Sequence, residues 1–176
     1  PRPHQRNLTF INDYVVNGVI AAMDFITTDD EISLAGLCLG GTLASIATAY
    51  DGASGVNRVA SLSLIVTLTD FGLDTGKMGA MIDQQLVDRV YAQTRRSGVL
   101  SEWDMGSGWV WLTSAGLYFG PAQKRWLFGE AAPAMDLLAW NADGTRLASE
   151  MHREYLQKCY IDNEFARGVL EVNGIR

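Results

Sequence analysis

The sequence predicts an α/β fold, in which a parallel sheet with covering helices is followed by a mostly helical insertion. Two short apolar segments, residues 31–36 and 59–68, have the composition of buried strands. A segment with helical character precedes each of them. This helix–strand–helix–strand order favours parallel pairing, because parallel strands are joined by a crossover helix. After residue 72 the helical patterns continue, while strong strand signals are missing until Gly168.

In the first half, residues 12–26 carry apolar side chains at helical spacing, and Asn12 is the predicted helix cap. The next predicted helix covers residues 42–50 and ends at a loop rich in Gly, Ser and Asn. In the second half we expect helices at residues 81–97 and 146–163. At the end of the chain, Asn173-Gly174 after an apolar run predicts a hairpin turn. Only two residues follow it, so we interpret the sequence as a piece of a longer chain.

The composition excludes several classes of protein. The chain has 176 residues, of which 48% are hydrophobic and 19% charged, as expected of a globular protein. A net charge of -6 argues against nucleic-acid binding. No apolar run reaches the roughly 18 residues that a membrane span needs. The cysteines, Cys38 and Cys159, form neither a disulfide framework nor a zinc motif, so we expect no metal and a reducing, cytoplasmic setting.

The strongest chemical signal is the motif Gly-x-Cys-x-Gly-Gly around Cys38, between a predicted strand and a predicted helix. That context is required of a nucleophile elbow, the tight turn that exposes a reactive side chain at the end of a sheet. Gly36, Gly40 and Gly41 are the small residues that such a turn needs. The backbone N–H of Leu39 is the predicted oxyanion donor. The alternative is a buried structural cysteine at a tight turn.

A cysteine nucleophile needs a base, usually histidine, that an acidic side chain orients. His4 precedes Cys38, which is the wrong order for a fold with nucleophile, acid and histidine in that sequence. His152 lies within a predicted helix, where packing is the more common role. We therefore expect the triad Asp and His outside this chain. Asp70, Asp136 and Cys159 are interpreted as structural residues.

Several blocks resemble the polyhydroxyalkanoate synthases, which are members of the α/β-hydrolase superfamily. Residues 36–43 look like the lipase-like box of that family, and residues 136–146 form a second specific block. Residues 151–156, with Tyr160 and Asn163, are similar to the helix that follows this block. The resemblance implies a partial α/β-hydrolase core with its elbow at residues 1–71, a cap at 72–167 and a truncated hairpin at 168–176. Residues 105–129 depart from the family. The Trp-rich stretch from Trp103 to Trp126 is interpreted as hydrophobic core, with the lining of an apolar substrate path as the alternative.

The resemblance also implies an activity, namely acyl transfer that joins (R)-3-hydroxyacyl units from coenzyme A thioesters into a polyester. Cys38 then carries the acyl chain as a thioester, and no cofactor is needed beyond the coenzyme A thioester substrate. Trp140 matches a tryptophan associated with dimerisation, with cap packing as an equal alternative. The implied setting is a homodimer in the cytoplasm, at the surface of polyester granules. We expect the isolated fragment to be inactive.

Two other interpretations remain open from the sequence. A cysteine-dependent α/β hydrolase of the dienelactone hydrolase kind has a similar box, although residues 140–145 argue against it. A non-catalytic fragment that dimerises or associates with granules is the alternative outside enzymes.

Overall fold

The computed structural model describes residues 6–26, 31–73, 75–107, 119–131 and 143–176. Three residues named above, His4, Asp136 and Trp140, lie outside these ranges. What the sequence predicts of them stays a prediction.

Helix α1 begins two residues earlier than its predicted cap. It runs over Phe10–Ile20 with π-type hydrogen bonds and continues as an α-helix over Ala21–Ile26. The prediction of Asn12 as the cap is wrong, because Thr9 stands at the cap position. The first free N–H group of the helix, that of Phe10, donates instead to the Glu154 carboxylate at 2.7 Å. A partner so distant in the chain leaves no local sequence signal.

The predicted strand–helix–strand unit is present and its strands are parallel. Strand β1, Ile32–Leu37, leads into helix α2, Leu39–Ala53, which returns the chain to strand β2, Val59–Ile65. The strands pair from Ser33 opposite Ser61 to Leu37 opposite Ile65. This arrangement is compatible with a partial α/β fold.

The prediction that both strands are buried is wrong for the described part of the chain. Only Gly36 is buried in β1, and no residue of β2 is. Alternate residues of β1 pack against the core, so one face of the strand contacts the helices while Ser33, Ala35 and Leu37 are exposed. An apolar run cannot distinguish a strand covered on both faces from one covered on a single face.

In the second half, most of the residues that the structure describes are helical, as predicted. Helix α3 is Gly76–Gly79, α4 is Gln84–Thr94, and α5 is Gly120–Leu127. Helix α6 begins as Ser149–Tyr155 and continues with π-type bonds over Leu156–Ile161. Two strands were not expected here: β3, Val99–Leu100, pairs antiparallel with β4, Leu147–Ala148. Two residues are too few to create a period that a sequence pattern can reveal.

Helix α6 shares one hydrophobic core with helices α1 and α2. Phe10, Val15, Ile46 and Met151 are all essentially inaccessible to solvent and belong to the same cluster. The helical second half is therefore packed directly on the first half. The predicted boundaries of core, cap and hairpin stay a prediction.

The last residues form the predicted turn. Val172 and Ile175 exchange backbone hydrogen bonds of 2.8 and 2.9 Å. Asn173 and Gly174 between them have φ angles of 49° and 79°, as a type I′ turn requires. Within the described ranges, no helix is both long enough and apolar enough to cross a membrane.

Candidate active site

Cys38 occupies the single residue between β1 and α2, in a backbone conformation that is unusual for its type. Its φ and ψ angles are 52° and -125°. Such a conformation costs on the order of 1–3 kcal/mol in a residue other than glycine, so its surroundings must hold it. The Cys38 N–H donates to the Ile65 carbonyl at 2.9 Å. Its own carbonyl accepts from Gly41 at 2.9 Å and from Thr42 at 3.3 Å. The sheet and the helix thus hold the turn from both sides.

The turn leaves Cys38 exposed, although a buried segment begins three residues later. Cys38 is accessible to solvent, whereas the seven consecutive residues from Gly41 to Ala47 are all buried. The residue therefore lies at the carboxyl end of the parallel strands and immediately before the first turn of α2. This is the position in which ligands bind to open α/β sheets.

Close packing explains two of the three predicted elbow glycines. A Cβ atom on Gly36 would overlap the backbone of Gly41, and would lie 2.7 Å from its nitrogen. A Cβ atom on Gly41 would overlap the Thr67 side chain. By contrast, a Cβ atom on Gly40 would have no neighbour within 4 Å. The steric requirement predicted for Gly40 is therefore not found in this structure, and Gly41 carries it instead.

The segment after β2, residues 67–72, passes alongside the turn. The Thr42 hydroxyl donates to the Leu68 carbonyl at 2.8 Å. Asn163 joins the same segment to the end of α6, accepting from the Phe71 N–H at 3.0 Å and donating to the Asp70 carboxylate at 2.8 Å. The hydrogen bond from Asn163, followed by that from the Gly72 N–H, lowers the pKa of Asp70. These bonds agree with the structural role predicted for Asp70.

Four aromatic rings form a cluster beside this segment, which we call the aromatic cluster: Phe10, Phe71, Tyr155 and Tyr160. The ring centroids of Phe71 and Tyr160 are 4.7 Å apart, and those of Tyr155 and Tyr160 are 5.7 Å apart. Burial is the largest cause that raises the pKa of each tyrosine, and the charge of Cys38 adds to it.

Neither tyrosine was predicted from the sequence to be a functional residue. They are five positions apart, which places them on different sides of a regular α-helix. The π-type turn of residues Leu156–Ile161 brings them together. Such turns are frequent at functional sites. No pattern of apolar spacing reports a π turn, so only their position in a family block distinguished these residues.

His152 is half-buried and Cys159 is buried, and both lie in α6. Burial lowers the pKa of His152 to about 4, which leaves the imidazole neutral at neutral pH. Burial also raises the pKa of Cys159 to about 12, with the charge of Glu164 as the next cause. Cys159 is 2% exposed and belongs to the core, as predicted.

The Trp-rich stretch gives a different result from its prediction. Trp103 and Trp126 are 83% and 81% exposed, so the interpretation as hydrophobic core is wrong for these two side chains. They lie at a short helical turn and in α5. In the parts of the chain that the structure describes, no three or more His, Cys, Asp or Glu residues are grouped as metal ligands.

The chain is similar along its whole length to curated proteins of one kind. It is 30% identical to a poly(3-hydroxyalkanoate) polymerase of Methylorubrum extorquens, covering 100% of this chain and 29% of that protein. It is 30% identical to the polymerase subunit PhaC of Rhizobium meliloti, over 93% of the chain and 27% of the relative. The same subunit of Cupriavidus necator is also 30% identical, over 93% and 29%. The chain thus spans less than a third of these relatives. No family model matches it.

Proposed function

The chain belongs to the poly(3-hydroxyalkanoate) polymerase family, and from this premise we propose that it supplies the nucleophile of a polyester-forming acyltransferase. The observation that carries the proposal is the exposed Cys38 in a strained turn between a parallel strand and a helix. The substrate is a (R)-3-hydroxyacyl-coenzyme A, and the product is a polyester. The names of the relatives indicate the polymer, and the exposed cysteine in the turn indicates the chemistry.

In the proposed first step, the sulfur of Cys38 attacks the carbonyl carbon of the coenzyme A thioester. A carbon–sulfur bond to Cys38 forms, the bond to the sulfur of coenzyme A breaks, and coenzyme A leaves as a thiol. The proton that the leaving thiol takes up is the one that Cys38 loses, transferred through a base. No cofactor is required beyond the thioester substrate itself.

In the second step, a 3-hydroxyl oxygen attacks the acyl carbon on Cys38. An ester bond forms, the thioester bond breaks, and the hydroxyl proton returns to Cys38 through the same base. Water must be excluded, because it would hydrolyse the thioester to a free acid. The helical second half, packed on the core through α6, is the proposed cover of the site.

The remaining parts of the machinery are also proposals. The backbone N–H of Leu39, the first residue of α2, has no acceptor within its own helix and is the proposed oxyanion donor. We place the base and its acidic partner beyond this segment, in an α/β-hydrolase arrangement. A homodimer with Trp140 at its interface, and a location on polyester granules in the cytoplasm, complete the proposal.

The test uses the complete natural chain that carries this segment. Coenzyme A release from (R)-3-hydroxybutyryl-coenzyme A is measured together with the mass of insoluble polyester, for wild type, Cys38→Ala and the control Cys159→Ala. We expect Cys38→Ala to lose both signals by at least about 10³-fold. We expect Cys159→Ala to retain turnover in the fraction that stays folded.

The alternatives correspond to distinct outcomes. Coenzyme A release without polymer supports a thioester hydrolase of the dienelactone hydrolase kind. Turnover that survives Cys38→Ala contradicts the nucleophile assignment. For the isolated 176-residue fragment we expect no polymer, because a triad enzyme without its base loses most of its rate. Polymer made by that fragment would contradict this expectation.

A further inference from the structure

The residue that follows β2, Val66, shares with Cys38 a backbone conformation of positive φ. Its φ angle is 50°, which is a genuine outlier for a β-branched side chain. The side chain of Val66 is 84% exposed, so its burial does not compensate for this conformation. Leu37 pairs with Ile65 at the end of the parallel sheet. Cys38 and Val66 are therefore the next residues of two adjacent strands, and strained residues of this kind cluster at functional sites.

One carbonyl oxygen, that of Ile65, connects the two strained residues. It belongs to the peptide group that joins Ile65 to Val66, and it accepts the N–H of Cys38 at 2.9 Å. Because a peptide group is planar, a relaxation of Val66 towards negative φ that is compensated at Ile65 turns this oxygen away from its donor. The hydrogen bond to Cys38 therefore depends on the strained conformation of Val66.

The side chain of Thr67 bonds to the same oxygen. Its hydroxyl donates to the Ile65 carbonyl at 3.1 Å and lies 3.4 Å from the Gly36 carbonyl oxygen, so it reaches the ends of both strands. A carbonyl oxygen has two lone pairs, so that of Ile65 can accept from Cys38 and from Thr67 at once. The bond from Thr67 back to Ile65 closes a small ring that contains Val66. The Thr67 hydroxyl thus fixes the peptide group that accepts from Cys38.

Thr67 is also enclosed by helix α2, which begins directly after Cys38. A Cβ atom on Gly41 would overlap the Thr67 hydroxyl and would lie 2.6 Å from its methyl carbon Cγ2. Thr67 is half-buried, in contrast to the exposed Val66 before it. The hydroxyl is therefore held between the sheet and the first turn of α2, and its contacts all lead to the turn around Cys38.

We propose that Thr67 is a positioning residue for Cys38: its hydroxyl fixes the peptide group after Ile65, and this peptide group keeps the cysteine turn in the geometry that attacks the thioester. This inference rests on the proposed function. The backbone at Cys38 sets the direction of the sulfur and also that of the following N–H, which belongs to Leu39. A shift of the turn displaces the nucleophile and the oxyanion donor together, and a misplacement of about 1 Å can cost on the order of 10²-fold in rate.

The experiment uses the complete natural chain that carries this segment. The variants are Thr67→Val, which removes the hydroxyl at nearly constant volume, and Thr67→Ser, which keeps it. The matched control is Thr48→Val, since the Thr48 hydroxyl also donates to a backbone carbonyl, that of Ala44 at 2.8 Å within α2. Coenzyme A release from (R)-3-hydroxybutyryl-coenzyme A gives kcat and KM. Iodoacetamide labelling without substrate gives the reactivity of Cys38, and Cys159 in the same sample reports unfolding.

For Thr67→Val we expect kcat to fall about tenfold, the effect of one hydrogen bond, with KM unchanged. The labelling rate of Cys38 should also change, while that of Cys159 stays constant, because only the turn moves. Thr67→Ser and Thr48→Val should keep the wild-type kcat. A wild-type labelling rate of Cys38 in Thr67→Val would overturn the proposal, and so would an equal loss of kcat in Thr67→Ser. If Thr67→Val does not fold, Thr67→Ala, which leaves space beside Gly41, takes its place.

Val66→Gly tests whether the hydroxyl acts through the strained residue. Glycine adopts positive φ about as readily as negative φ, so the peptide group at this position no longer needs the hydroxyl to offset strain. In the Val66→Gly background, we expect Thr67→Val to lower kcat by less than about threefold, against about tenfold in the wild-type background. Equal losses in the two backgrounds would show that Thr67 does not act through Val66, which contradicts the proposal.

Cys38→Ala separates this inference from the proposed function. If Cys38→Ala abolishes turnover while Thr67→Val keeps the wild-type kcat and labelling rate, the role of Thr67 is wrong and the nucleophile assignment remains. If turnover survives Cys38→Ala, the proposed function is wrong, and the inference that rests on it is overturned as well.

Discussion

The two cysteines of this chain have the same side chain and opposite surroundings. Cys38 is exposed at a turn with positive φ, whereas Cys159 is 2% exposed inside the core shared by helices α1, α2 and α6. Burial raises the pKa of Cys159 to about 12 and keeps it a thiol. The surroundings of each cysteine, and not the residue type, therefore determine whether its thiol is accessible to a substrate.

We expect the greatest difference between the two cysteines in their rates of alkylation. With a pKa of about 12, roughly one Cys159 side chain in 10⁴ is a thiolate at pH 8. We expect iodoacetamide to label Cys38 at least about 10³-fold faster than Cys159 in the native protein. Mass spectrometry of the two peptides gives both rates. Below its pKa, labelling of Cys159 should rise about tenfold per pH unit, and equal rates at pH 8 would refute the comparison.

The pH dependence of unfolding tests the environment of α6 through His152. Burial lowers its pKa from 6.5 to about 4, so between these values the unfolded state binds the proton and the folded state does not. The contribution of neutral His152 to the free energy of unfolding should therefore be fully present above pH 6.5. The free energy of unfolding should fall by up to about 3 kcal/mol as the pH drops towards 4. Denaturant unfolding of wild type and His152→Gln measures it. A variant with the same slope as wild type in this window would contradict the assignment.

Two alanine substitutions test the packing of the turn around Cys38. Gly41→Ala places a methyl group against Thr67, and we expect it to cost about 1–3 kcal/mol, the usual range for overpacking. Gly40→Ala meets open space in the first turn of α2, so we expect it to be neutral or to stabilise by up to about 1 kcal/mol. Thermal unfolding of both variants gives the difference. Equal melting temperatures would mean that Gly41 is not in close contact.

Asn163 links the segment after β2 to the end of α6, and we expect the loss of its hydrogen bonds to have a smaller effect than the destabilising changes above. Asn163→Ala removes the acceptor of the Phe71 N–H and the donor to Asp70, and should cost about 0.5–1.5 kcal/mol, since both bonds are only partly buried. The pKa of Asp70 is lowered by these bonds, so its contribution is present above its unfolded pKa and is lost as the pH falls through its folded value. Asp70→Asn should therefore flatten the stability profile below about pH 4. An unchanged profile would show that the carboxylate contributes nothing.

Much of the structure around Cys38 could be predicted from the sequence, because it depends on residues that are close together in the chain. An apolar strand, glycines around Cys38 and an Ala-rich helix follow one another in the chain, and each leaves its own pattern. The burial of the strands could not be predicted, since an apolar run does not report which faces are covered. Gly40 and Gly41 were equivalent in the sequence, and only the approach of Thr67 distinguishes them.

The packing of α6 was harder to predict, because its contacts join residues that are far apart in the chain. The helix containing His152 was expected, and so was the packing role of Cys159. The pairing of Tyr155 with Tyr160 depends on a π turn, and their meeting with Phe71 depends on the docking of α6. Strands of two residues, such as β3 and β4, are defined only by their mutual pairing.

The contact between Glu154 and the first N–H of α1 has a consequence for the order in which the protein is made. The two residues are 144 positions apart, so the ribosome must add all of the intervening chain before the carboxylate is available. At about 5–20 residues per second, this takes on the order of 7–30 s. During that interval α1 lacks the carboxylate that accepts from Phe10, so this N–H group must donate to water or to another molecule.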